Sequence, residues 1–390
     1  MSHYILINKV EVQDVNAIAG FTWGFPAITH FLGFSHNLSR KISRHKDFND
    51  IELKNCAVIS HKHHVKTYKN YGEYKFTQSR NPPYLSSLDN SKKSKTPSVI
   101  EEGKMNMTVS LLISFNGNIG NHREEFITWL DKTCKLQRLA GGTILNIKAI
   151  EIYNLDNETK KQLIILKRRL LPGFVLRDRS DYLQEHYQTI QKDNPDAELL
   201  DAWLDFSALK QKARPKSNLI SKHFKEKVKN SKSEFFNDLL GIWIKHLEPP
   251  YQESKIPSEI INYFENEDNQ LSSKLKEQWQ EYRHPNEKTD ANWEYLKKPR
   301  QGYLVPIMVG YKAISDVYSN EEVKNTRDNE TEVCFVESVH SVGQWQSAHR
   351  IRTLEDLEKC LWQYNYKENW YLCRQQQQQK PNNKTSYSIN

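Results

Sequence analysis

Cysteine is scarce and unpatterned. The five residues Cys56, Cys134, Cys334, Cys360 and Cys373 are odd in number, far apart and never in a CxxC pair. This argues against a disulfide framework and a CxxC zinc or redox site, so they read as reduced, buried thiols of a cytoplasmic protein. No run of eighteen apolar residues occurs, and the N-terminus MSHYILINKV lacks the basic-then-apolar layout of a secretory signal. Membrane spanning and secretion are therefore not expected. Also missing are the phosphate-binding pattern GxxxxGKS/T and a GxGxxG after any strand. A P-loop enzyme is disfavoured, and no cofactor is expected.

Hydrophobic residues make up only 37% of the 390, and the mean hydropathy is -0.79. Large parts of the chain must face water or a partner. There are 56 Lys and Arg against 48 Asp and Glu, a formal charge of +8. The excess is modest, so its distribution matters more than its sum.

From Tyr4 to Val12 the chain reads as a strand inside a sheet, with Leu6, Val10 and Val12 on one face and Ile5 and Ile7 on the other. An aromatic loop with Phe21, Trp23 and Phe25 around Gly24 leads to Pro26, which suits a first helical turn. Ile28, Phe31, Leu32, Leu38 and Ile42 then recur near helical spacing. The loop rings either plug the end of the core or face a nucleic acid. Cys56–Ser60 and Asn106–Phe115 read as strands, Glu124–Leu139 as a helix stopped by Ala140-Gly141-Gly142-Thr143, and Ile144–Tyr153 as a strand. The order strand, helix, strand, strand, helix, strand across residues 4–153 is the ferredoxin-like split arrangement, shared with RNA-recognition domains.

The expected fold is thus α+β: a ferredoxin-like core over 1–155, a helical and basic insertion over 156–300, and C-terminal strands and a helix over 301–374 that complete the fold. Residues 79–104, rich in Ser, Pro, Asn and Lys, read as a mobile loop or long hairpin tip. Tyr303–Tyr311 and Glu332–Val339 read as strands and Thr353–Tyr364 as a helix capped by Thr353 with Asp356 at N3. The glutamine-rich tail 375–390 reads as disordered.

Four groups of residues are candidates for binding. Arg138 beside Gly141 and Gly142 offers charge next to backbone that a phosphate can approach, or else a helix C-cap. Arg168, Arg169, Arg177 and Arg179 flank Pro172-Gly173 as a guanidinium group suited to bidentate phosphate contacts, or form a solvated face. Trp345 with His349, Arg350 and Arg352 combines a flat ring with donors, or covers a core edge. Lys210, Lys212, Arg214, Lys216, Lys222 and Lys225 belong to a stretch in which nine cations meet one acid, Glu226, and fit non-specific attraction to a polyanion. His61 and His63 would face one side of a strand, but no local Asp, Glu or Cys completes a metal site.

Five stretches, taken together, resemble the RAMP-type second subunit of the Csy surveillance complex of type I-F CRISPR systems. They are NAIAGFTWGFPAITHFLGFSH (Asn16–His36), RLAGGTI (Arg138–Ile144), LLPGFVLRDR (Leu170–Arg179), GYLVPIMVGYKAIS (Gly302–Ser315) and FVESVHSVGQWQSAHR (Phe335–Arg350). The resemblance implies a ferredoxin-like RAMP core, RRM-like in arrangement, and no catalysis. It also implies binding of the CRISPR RNA 5′ handle, pairing with the large subunit, contact with the helical backbone and help in engaging target double-stranded DNA. In this setting Arg138, Gly141, Gly142, Arg168, Arg169, Arg177, Arg179, Trp345, His349, Arg350 and Arg352 are the expected RNA contacts; the resemblance is weakest over 210–300, where the six cations from Lys210 to Lys225 are expected DNA or partner contacts by their charge alone. A second reading is a RAMP-type endoribonuclease that cuts precursor RNA with His30, His36, His61, His63 or His64. A third is a purely structural adaptor.

Overall fold

In the computed structural model the residues described are 3–80, 99–101, 103–155, 159–231, 233–248, 255–266, 271–286, 288–326, 328 and 330–376. The chain divides into two units, 1–207 with 299–390, and 208–298. The first is mixed α/β on a ten-stranded antiparallel sheet. Its strands are β1 (His3–Asn16), β2 (Glu52–Val65), β3 (Lys104–Asn116), β4 (Arg138–Leu139), β5 (Gly142–Asn154), β6 (Phe174–Asp178), β7 (Tyr303–Ala313), β8 (Val336–Ser347), β9 (Trp362–Lys367) and β10 (Trp370–Gln375). They run β4-β5-β1-β3-β2-β6-β8-β7-β10-β9, and β9 bridges back to β2 where Trp362 pairs with Cys56. The later strands therefore curl onto the earlier ones.

Both faces of the central strands are covered, which is why Tyr4–Ile7 and Ser110–Ile113 are continuously buried. Helices α1 (Ile28–Ile42) and α2 (Arg123–Lys135) place Phe31, Leu32, Leu38, Phe126 and Leu130 against Ile5, Ile7, Val58, Leu111 and Ile113. On the other face α3 (Thr159–Leu170) sets Leu163, Leu166 and Leu170 against Leu6, Ala57 and Leu112. Truncating a fully buried ring such as Phe31 to alanine costs about 3–5 kcal/mol.

Strict alternation along β1 is not observed. Lys9 and Asp14 adopt positive φ, 51° and 56°, and the register shifts there. The bulges re-phase the strand, so Ile5, Ile7, Val10, Val12 and Val15 share one face. Each displaced N–H is answered by a side chain of β3: Lys9 N–H donates to Ser110 Oγ at 2.9 Å and Asp14 N–H to Asn106 Oδ1 at 3.1 Å.

Other expectations shift as well. α2 ends at Lys135, and residues 138–143 form a hairpin rather than a helix cap: Arg138 pairs with Thr143 and Leu139 with Gly142, with Ala140 and Gly141 at φ 50° and 80° in the turn. The strand expected at Glu332–Val339 is β8, four residues later. The helix expected at Thr353–Tyr364 is only α10 (Leu354–Glu358), although its Thr353–Asp356 capping box is present. Trp362 leaves it to enter β9, its ring buried and its indole N–H donating to Leu176 O at 3.1 Å. Gln375, expected in the tail, is buried in β10 and donates to Leu176 O and Cys360 O. Helices α3, α4 (Ser180–Asp193) and α5 (Leu199–Ser207) lie in the span expected as the insertion but belong to the first unit. The centre of the expected loop, 81–98, and the tail from 377 lie outside the described residues. Four cysteines are buried, but Cys334 is exposed.

The second unit gathers α6 (Asn218–Ser231), α7 (Glu234–Leu247), α8 (Ser258–Glu265) and α9 (Ser273–Arg283) around Phe224, Trp243, Phe264 and Trp279, beside a ribbon of Gln211–Pro215 and Ala291–Tyr295.

Candidate nucleic-acid interface

Strand β6 pairs with β8 so that Arg177 lies opposite Gln344 and Val175 opposite Gln346, all on the face that carries α3. After β8 the chain turns through Ser347, Ala348, His349 and Arg350, with the buried Ala348 and Ile351 packed in the α3 cluster, and then enters the capping box of α10. This brings Arg177, Arg179, Arg350 and Arg352 to one cavity of about 560 Å³, with Lys359 of the turn after α10 as a fifth cation. Two pairs far apart in sequence thus converge.

The cavity's geometry is held by neighbours. Arg179 donates from Nε to Gln344 Oε1 at 2.8 Å and lies 5.2 Å from the centre of the Tyr182 ring. Gln344 has room because residue 302 is glycine; a Cβ there would meet its amide at 2.2 Å. Arg177 reaches the Cys360 sulfur at 3.3 Å, while its Nε is buried with no hydrogen-bond partner among the described residues. The carboxylate lining the cavity, Asp356, is committed elsewhere. Burial works to raise its pKa, but the N–H groups of Arg352 and Thr353, the Thr353 hydroxyl and Lys359 outweigh that and hold it below the usual range. The result is a polar, cation-rich hollow, which favours an oxyanion such as phosphate.

The remaining expected contacts are dispersed. Trp345 points from β8 to the opposite face, where it packs against the core edge-on to Phe25 and lines a separate cavity. It therefore does not share a pocket with Arg350 and Arg352. His349 is exposed on the turn between them. Arg168 and Arg169 sit exposed on α3, and Arg169 is paired with Glu151 at 3.1 Å. In the hairpin, Gly142 packs on β1, and a Cβ there would meet Gln13 O at 2.5 Å. Gly141 is open, and Arg138 reaches its carbonyl at 3.4 Å.

In the second unit Lys212 and Arg214 are half-buried on the ribbon, Lys216 is paired with Asp290 at 2.9 Å and Lys222 with Glu226 at 3.8 Å. Lys210 begins the same alternation and Lys225 lies exposed on α6. Nothing local in the sequence marks Lys359, Gln344 or Tyr182: Gln344 and Arg179 are 165 residues apart, and only strand pairing makes them neighbours.

The histidines differ in their freedom to react. Burial lowers the His61 pKa, so its ring is neutral; Nδ1–H donates to Pro172 O at 2.6 Å, and Nε2 lies 2.7 Å from the Ser110 hydroxyl, which also stands 3.1 Å from Asn8 Oδ1. Both nitrogens are used. His30 is also held neutral by burial, while His36, His63 and His64 are exposed. Among the described residues no group of three or more His, Cys, Asp or Glu could hold a metal ion, and no helix is long and apolar enough to cross a membrane.

Comparison with known proteins gives two findings. The family model described as CRISPR-associated protein (Cas_Csy2) matches residues 5–236 and 264–373. The chain is also 29% identical over 376 residues to the CRISPR-associated protein Csy2 of Pseudomonas aeruginosa (strain UCBPP-PA14), covering 93% of this chain and 91% of that one.

Proposed function

The chain belongs to the Csy2 family of CRISPR-associated proteins, and from that premise we propose that it is a non-catalytic, cytoplasmic subunit of a type I-F surveillance complex that holds the 5′ handle of the CRISPR RNA. The observation that carries this reading is the cavity of Arg177, Arg179, Arg350, Arg352 and Lys359. Guanidinium forks there suit consecutive phosphates. Arg138 beside the open Gly141 adds a second approach to the backbone, and Arg168 and Arg169 on α3 add weaker, solvent-screened attraction.

The run β5-β1-β3-β2, with α1 and α2 on one face, supports a ferredoxin-like core of the RAMP type. His61, with both ring nitrogens bonded, supports a role without catalysis. In the assembly the protein pairs with the large subunit and abuts the first copy of the helical backbone. Lys210, Lys212, Arg214, Lys216, Lys222 and Lys225 face target double-stranded DNA or a neighbouring subunit. Guide pairing then reads the sequence while protein reads backbone and shape, a division of labour known from another RNA-guided effector.

The test is a titration of repeat-derived RNA against the full chain over a range of salt. Arg350→Glu with Arg352→Glu weakens binding and flattens the salt dependence; equal affinity and slope would sink the reading. Incubation of the same RNA without metal leaves it intact, and a discrete cut abolished by one histidine substitution would instead establish an endoribonuclease.

A further inference from the structure

The aromatic loop and Trp345 meet in a cavity of about 450 Å³ on the α1 face of the sheet. Its walls are Trp23, Phe25, Phe174, Tyr303 and Trp345, with His63 among its polar lining groups. Tyr303 and Trp345 are cross-strand partners on β7 and β8, and Phe174 stands on the same face of β6. At the mouth Phe174 is 52% exposed and Tyr303 66% exposed. Five rings around one opening, three of them (Trp23, Phe174 and Tyr303) exposed to water, need an explanation beyond core packing.

Two of the walls are held by neighbouring rings. Trp23 stacks on Phe76 at 4.0 Å, and a Cβ on residue 103 would fall 2.0 Å from its ring, so Gly103 makes the seat. Phe25 stacks on Phe31 at 5.4 Å and meets the edge of Trp345 at 4.8 Å. His61, behind them, is held at both ring nitrogens. Ordering such walls costs little when a flat ligand enters.

We infer that this cavity seats one unstacked nucleobase of the bound RNA strand, its faces against the rings and its edge toward His63. The inference rests on the RNA-binding reading above and specifies it. A nucleobase is favoured over a side chain of a partner protein because the cavity backs onto the cationic one. Strands β6 and β8 wall both, and the Ser347–Arg350 turn leads from Trp345 to Arg350. A strand whose phosphates are held at Arg350 and Arg352 thus has an aromatic seat around the end of the same strands. Aromatic stacking of splayed bases is a general mode of single-stranded RNA recognition.

The experiment uses the full chain and repeat-derived RNA carrying 2-aminopurine, or an abasic site, at successive positions. At one position the fluorophore is quenched on binding, and the abasic site there weakens binding about 5- to 150-fold, the range for one stacked base. Phe174→Ala and Tyr303→Ala, both at the solvent-exposed mouth, remove the quench and leave the salt slope unchanged; Trp345→Phe retains it. If RNA binds with the expected salt slope but no position is quenched or sensitive, the base seat is wrong and the RNA-binding reading survives. If Phe174→Ala loosens a partner subunit while every RNA position stays silent, the cavity is a protein socket and the inference falls. If no RNA binds even at low salt, both readings fall.

Discussion

The hydroxyl of Ser110 stands 2.9 Å from the main-chain nitrogen of Lys9, a residue held in the left-handed region on a buried strand. The same oxygen lies 2.7 Å from His61 Nε2, so one fully buried side chain supports both the bulge of β1 and the histidine on β2. Ser110→Ala removes a hydrogen-bond partner from Lys9 N–H, His61 Nε2 and the buried Asn8 Oδ1. The expected loss is about 2–4 kcal/mol, at roughly 1–3 kcal/mol per orphaned group, read from urea denaturation of the full chain. A change below about 0.5 kcal/mol, the scale of an ordinary surface substitution, would show that water or a neighbour replaces the hydroxyl.

Stability should fall on mild acidification. His30, His61, His223, His246 and His340 are all shifted below 6.5, in each case first by burial. The unfolded chain therefore takes up protons near pH 6.5 while the folded chain still resists them. The stabilisation is complete above that pH and is lost as pH drops below it. Thermal melts at pH 7.5, 6.5 and 5.5 should show a decreasing Tm, with a smaller drop for His61→Asn. A flat profile would contradict the assignment of neutral buried rings.

The arginines should separate into two classes. Neutralising Arg350 and Arg352 together removes two phosphate contacts, which lowers the slope of log K against log salt by about 1.4 for a single strand. Neutralising Arg168 and Arg169 should change the slope by less than half as much, since Arg169 is already paired with Glu151 and both are exposed. Filter binding at four salt concentrations distinguishes them, and identical effects would disprove the separation.

Much of the first unit was legible in the sequence. The spacing of Ile28, Phe31, Leu32, Leu38 and Ile42 marks α1 because a helix against a sheet must bury one stripe, and all five are buried. The bulges at Lys9 and Asp14 were not legible: their cost is offset by Ser110 and Asn106, about a hundred residues away. For the same reason the grouping of Arg177 with Arg350 could not be read locally. Arg177 and Arg179 were visible as a cluster with Arg168 and Arg169, but the intervening turn sends the two pairs to different surroundings. In the sequence Trp345 reads as a ring near donors; the alternation of β8 turns the ring away from them.

The two glycines of the 138–143 hairpin should tolerate alanine differently. At Gly142 a Cβ would lie 2.5 Å from a strand carbonyl, so Gly142→Ala forces β5 away from β1. At Gly141 the space is open and only the φ of 80° opposes a side chain, at a cost of about 1–2 kcal/mol. Melting temperatures should rank wild type above Gly141→Ala above Gly142→Ala, and the reverse order of the variants would refute this packing.

The position of β6 bears on how the protein is made. When Phe174–Asp178 leaves the ribosome it can pair with β2, but β8, its other neighbour, has not been translated. At 5–20 residues per second the nascent polypeptide waits roughly 8–30 seconds for Val336–Ser347, during which the whole second unit emerges. Until then Val175 and Leu176 have one unpaired edge in the cell, a target for chaperones and for aggregation with other unfinished copies.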